Sequence, residues 1–109
     1  MVRSPVMSET VTRLRKATVE RALHGPGKAS GDARRAAFDN TSSNPLIAKV
    51  AKTAWKVTDE DIAAAKQAGL SEDEIFELVV CTAYGQATRQ LEAALAAVDA
   101  ADAKKEGAA

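Results

Sequence analysis

One thiol, one imidazole and the carboxylate cluster at residues 59–61 are the first candidates in these 109 residues for covalent or proton-transfer chemistry. Cys81 is the only cysteine and His24 the only histidine. A nucleophilic thiol needs a neighbouring base or cation to hold its thiolate, yet His24 stands far upstream, at the end of the first predicted helix, where an imidazole can cap helix carbonyls. Cys81 falls one residue off an apolar helical stripe, a common place for a small buried hydrophobe. Asp59, Glu60 and Asp61 could supply a general base, but carboxylates in the first turn of a helix are also what its dipole favours. Tyr84 is expected to pack, or to line a pocket if Asp61 moves a proton at a subunit interface. The candidate catalytic residues are therefore Asp61, Cys81 and Tyr84. With one cysteine, an intrachain disulfide and a thiol-rich metal site are both impossible. No metal-spaced His/Glu set and no phosphate-cradling glycine loop occurs, so neither metal nor cofactor is expected.

Helices must position these groups, since no run alternates as a strand would. Ser8 can cap a first helix carrying Val11, Leu14, Ala17, Val19, Ala22 and Leu23, which Gly25-Pro26-Gly27 ends. Residues 28–44 are polar and read as a loop with a brief helix over 33–38. Asn44-Pro45 is a cap followed by proline at the first helical position, opening a helix through Leu46, Ile47, Val50, Ala51 and Ala54, with Trp55 at its end. Thr58 with Asp61 resembles a capping box for a helix that ends before Gly69. Ser71 with Glu74 is a fuller one. It launches the longest helix, over 72–98 or beyond, with Ile75, Leu78, Val79, Ala83, Ala87, Leu91, Ala94, Leu95 and Val98 at helical spacing. Gly85 lies inside this helix, where close backbone packing explains it better than a break.

The expected fold is all-α: one helical domain over 8–101, with a tight helical hairpin, one long C-terminal helix and flexible termini at 1–7 and 102–109. Apolar residues make up 46% of the chain but are dominated by alanine, which suits close-packed helices. The longest apolar stretch, residues 75–84, is interrupted by Glu77 and is too short to span a bilayer. No apolar leader is visible at the N-terminus, so the cytoplasm is the expected compartment, and Met7 competes with Met1 as the start. Formal charge sums to zero, yet residues 1–56 carry eleven Lys/Arg against four Asp/Glu and residues 57–109 carry four against eleven. Either the basic half packs on the acidic half, within or between subunits, or the N-terminal half offers an anion-binding face.

Ala65, Gly69 and Ile75 fall at the spacing of a DNA-binding helix-turn-helix. The supposed recognition helix would show Ser71, Glu72, Asp73, Glu74 and Glu77 to a duplex whose phosphates call for Lys and Arg, which argues against nucleic acid there.

The stretch 57–79, and within it the pattern A-x-x-x-G-L-S-x-x-E-I carried by Ala65, Gly69, Leu70, Ser71, Glu74 and Ile75, resembles the alkylhydroperoxidase AhpD / carboxymuconolactone decarboxylase family. The resemblance implies a small AhpD-like helical domain that assembles into trimers or hexamers. In the peroxidatic branch a Cys-x-x-Cys-x-x-x-His motif precedes this hairpin, and its positions fall on Ala54, Val57 and Asp61. An upstream acidic residue of that relay would fall near Ser42. The decarboxylase branch places a histidine at the Asp61 position, which leaves Asp61 as the aligned residue able to move a proton. Without thiols the resemblance implies a non-peroxidatic oligomeric scaffold or accessory subunit, with a protein partner possible. The alternatives are an enzyme of the same superfamily with an interface site using Asp61, and an anion- or nucleic-acid-binding module using the basic half.

Overall fold

The computed structural model describes residues 5–107 and contains five α-helices: α1 (Pro5–His24), α2 (Gly31–Asp39), α3 (Pro45–Thr53), α4 (Asp59–Gln67) and α5 (Glu72–Gly107). A 3-10 turn, Ala54–Lys56, follows α3.

Local chemistry sets most boundaries. Asn44 accepts from the Leu46 and Ile47 amides at 2.9 and 3.4 Å, with Pro45 opening the helix behind it. Thr58 and Asp61 form the expected reciprocal capping box of α4. Gly69 turns the chain at φ +107°, a left-handed conformation that glycine enters without strain. Ser71 Oγ then accepts from the Glu74 amide while Glu74 accepts from the Ser71 amide, both at 3.1 Å. Ser71→Ala should therefore cost about 0.5 to 2 kcal/mol. An unchanged midpoint in urea would remove Ser71 from the cap.

Three expectations change. Ser8 is not the cap of α1, which begins at Pro5, where a ring-fixed φ and a missing N–H suit the first helical position. The brief helix after the first loop is longer than 33–38, running Gly31–Asp39 between a Ser30 cap and a left-handed Asn40. Trp55 leaves the apolar face of α3 for the 3-10 turn, where it is 78% exposed.

The core has two parts. Leu23, Ala29, Ala37, Ile47, Leu78 and Cys81 pack where α1, α2 and α3 meet α5. Leu46, Ala65 and Ile75 join α3, α4 and the start of α5, and Leu70 and Val79 touch both clusters. Gly85 lets α5 lie directly on the end of α2: an added Cβ would sit 2.7 Å from the Phe38 carbonyl carbon and 2.9 Å from its Cα. Arg89, one turn further, donates to the Phe38 carbonyl at 2.7 Å, and Gln86 donates to the Ala51 carbonyl at 2.6 Å. One short stretch of α5 thus holds both α2 and α3.

The molecule is long, at 61 × 28 × 18 Å with a radius of gyration of 17.6 Å, against about 13 Å for a compact chain of about 100 residues. The cause is α5, whose 36 residues at about 1.5 Å each reach about 54 Å. α1 runs antiparallel beside it: Cys81 donates to the Ala22 carbonyl, and Arg15, earlier in α1, pairs with Glu92, later in α5, at 3.6 Å. Beyond the body these two helices form an arm.

Candidate functional site

Asp61 is committed to structure. Its carboxylate accepts from the Thr58 amide at 2.9 Å and from Lys49 Nζ at 2.6 Å. The Lys49 ammonium, then the Thr58 amide, holds its pKa below the usual 3.8. A carboxylate stabilised in its charged form is a poor general base near neutral pH. Asp61 borders a cavity of 150 Å³ with Asn44, Pro45, Leu46, Ala64 and Ala65, none of which could share a proton relay with it.

Cys81 is 1% exposed in the core, its thiol directed at the Ala22 carbonyl at 3.4 Å. Burial pushes its pKa above the usual 9.0, partly countered by Arg34, so the thiol stays protonated and unreactive at neutral pH. Tyr84, three residues on, lies on the outer side of α5 against α1. Neither Cys81 nor Tyr84 borders the Asp61 cavity, and Asp61 borders neither groove that Tyr84 lines. One chain therefore does not bring the three candidates together. His24 does not cap the carbonyls of α1 either. Its Nε2 lies 3.6 Å from the Glu20 carboxylate one turn back, and the Gly25 carbonyl is taken by Arg34 at 2.6 Å.

Of the positions on which the resemblance would place the peroxidatic motif, Ala54 opens the 3-10 turn and is exposed, while Val57 packs on the second core cluster. Ser42 accepts from the Asn44 amide at 3.2 Å. Among the described residues no group of three His, Cys, Asp or Glu side chains is placed to hold a metal ion, and no helix is long and apolar enough to cross a membrane. No family model, curated protein or solved structure matches this chain.

The charge asymmetry is consumed in part within the chain. Arg15–Glu92, Lys28–Asp73 and Lys49–Asp61 each join the basic half to the acidic half. The largest such arrangement escaped sequence reasoning. Glu77 accepts from the Lys28 amide at 2.8 Å and the Ala29 amide at 2.6 Å, while buried Arg34 donates to the Gly25 and Ala29 carbonyls at 2.6 and 3.0 Å. Together they clamp the loop between α1 and α2. A Cβ on Gly27 would lie 2.5 Å from Arg34 Nη2 and 2.9 Å from Glu77 Cδ, so any larger residue would displace one of these side-chain ends from its place in the clamp. The signal was present in Glu77 itself, a charge inside the apolar stretch 75–84 that needs a partner.

A further concave surface is the groove between α1 and α5. Leu14, Ala17 and Arg21 form one wall, and Val80 and Tyr84 the other, around a space of 460 Å³. A second space of 240 Å³, which also touches Thr18 and Tyr84, continues it past Val19, Ala87 and Leu91.

Proposed function

We propose that the chain is a non-peroxidatic, homo-oligomeric helical scaffold or accessory subunit with an AhpD-like fold. The α1–α5 arm carries this reading. Outside the body it leaves Val11 51%, Leu14 62% and Val98 44% exposed, with Leu91 and Leu95 only half-buried. Such exposure forfeits roughly 25 cal/mol for each Å² of apolar surface that a neighbour could cover. The environments of Asp61 and Cys81 support the non-peroxidatic part, since one is held charged by a lysine and the other is buried and protonated.

Light scattering tests the reading. The expected mass is three or six times 11.4 kDa, the trimer or hexamer that the family resemblance implies, with Leu91 and Leu95 at or beside subunit contacts. A mass of 11.4 kDa at micromolar concentration and ordinary salt would refute self-assembly.

A further inference from the structure

One face of α5 is apolar and open, and the elements on both sides of it are basic. Gly85 and Arg89 face α2, Cys81 meets α1 at the Ala22 carbonyl, and Gln86 meets α3 at the Ala51 carbonyl. At about 100° per residue, the face turned away from α2 carries Phe76, Val80, Ala83, Tyr84 and Ala87. Phe76 is 69% exposed, Ala83 and Ala87 are exposed, and half-buried Val80 and Tyr84 form one wall of the 460 Å³ groove. The charges of residues 76–91 point elsewhere, Glu77 to the Lys28 and Ala29 amides and Arg89 to the Phe38 carbonyl. On the α1 side, residues 10–21 carry Arg13, Arg15, Lys16 and Arg21 against Glu20, and Arg21 lines the groove itself. On the α3 side, residues 45–56 carry Lys49, Lys52 and Lys56 with no acid, and Trp55 stands exposed among them. Arg15 and Lys49 are paired with Glu92 and Asp61, whereas Arg13, Arg21, Lys52 and Lys56 are exposed and make no ion pair among the described residues.

We infer that this face receives an acidic amphipathic helix of a partner protein, laid along α5 with its apolar ridge on the Phe76–Ala87 stripe and its carboxylates toward the cations of α1 and α3. This rests on the accessory-subunit reading and supplies the partner's chemistry. Groove-bound helices anchor through apolar residues at i, i+3 or i+4 and i+7. The stripe, about 17 Å long at about 1.5 Å per residue, holds about three turns of such a helix. Charge selects among occupants. Because both flanks are basic, a second copy laid stripe on stripe would set cations against cations in either direction, which costs affinity, whereas flanking Asp or Glu side chains answer them. Shape selects as well: a flat anionic bilayer reaches Phe76 but not half-buried Val80 and Tyr84, while a helix ridge fills the concavity that they line. The stripe ends before Leu91 and Leu95, so an occupant leaves the self-assembly contacts free.

Calorimetric titration of the full chain tests this with two blocked peptides of about 14 residues, each with leucine at i, i+3, i+4 and i+7 along one face. One carries glutamate on the flanks of that face and the other lysine. The glutamate peptide should bind about tenfold or more tighter than the lysine peptide, and its affinity should fall as salt rises. Arg13→Glu/Arg21→Glu should remove most of that preference, and Ala83→Glu, which places a charge in the exposed stripe, should abolish binding of the glutamate peptide. Circular dichroism records whether the variants remain helical, and if they do not, the two peptides on the wild type decide. Equal affinity for the two peptides, no binding of either, or an unchanged preference in a helical Arg13→Glu/Arg21→Glu chain would overturn the proposal. Binding to phosphatidylglycerol vesicles by a chain that takes up neither peptide would assign the face to a lipid surface instead. Loss of wild-type mass in Ala83→Glu, again with neither peptide bound, would assign it to a second copy. A monomeric chain that prefers the glutamate peptide would refute self-assembly and leave this docking intact, whereas an oligomer without the preference would refute only the docking.

Discussion

Gly85→Ala should lower stability by about 2 kcal/mol, although helix propensity acting alone would raise it by about 1 kcal/mol. The two effects oppose each other at one atom. The added Cβ meets the carbonyl carbon and Cα of Phe38, which are backbone atoms and cannot swing aside as a side-chain tip would. Overpacking of this kind costs about 1 to 3 kcal/mol, and its upper end applies when the obstacle is another helix. Relief would require α2 to lift from α5, which would also stretch the Arg89 bond to the Phe38 carbonyl. Compared with alanine, valine at position 85 adds two further methyl groups and has a lower helix propensity, so Gly85→Val should unfold the chain. Urea denaturation gives the sign directly. A Gly85→Ala protein more stable than the parent would show that α2 and α5 do not meet at this glycine.

The second large effect is expected at the clamp on the loop between α1 and α2. Arg34 is 6% exposed, and its guanidinium holds two carbonyls of that loop. Arg34→Met preserves much of the apolar stem but strands both carbonyls. Hydrogen bonds to charged groups contribute about 1.5 to 3 kcal/mol each, so the loss should be about 3 kcal/mol or more.

Glu77 adds a pH dependence whose direction follows from its environment. The Ala29 and Lys28 amides, with help from the Arg34 charge, hold its folded pKa below the ordinary 4.5. Its contribution is thus fully present above about pH 4.5 and disappears as the pH falls through the lower folded value. Asp61 and Glu72, also lowered, act in the same direction. Glu77→Gln should lower the melting temperature at pH 7, and the gap from the parent should narrow between pH 5 and pH 3. Parallel melting curves across that range would exclude Glu77 as an acid-sensitive anchor.

Elements whose cause is local were legible in the chain. Asn44-Pro45, the Thr58–Asp61 box and the Ser71–Glu74 box each place a helix start through hydrogen bonds spanning three residues, so neighbours in sequence suffice to define them. The same holds for the long apolar period of α5 and for the glycine turn at Gly69. Ser8 failed as a cap because a competing local signal, Pro5, lay three residues earlier.

The sequence by itself determined an all-helical chain, most helix boundaries and that Cys81 is its single thiol. It also marked Gly85 as a site of close approach without indicating what approached. Only tertiary structure decided that the partner was the end of α2, that Glu77 reaches a loop nearly fifty residues before it which Arg34 also holds, and that Asp61 faces Lys49 while Cys81 and Tyr84 lie elsewhere. Those outcomes depend on long-range packing of side chains whose types alone allow several partners. The arm has the same origin: helical periodicity shows that α1 and α5 each have an apolar face, but their antiparallel pairing leaves part of both faces uncovered.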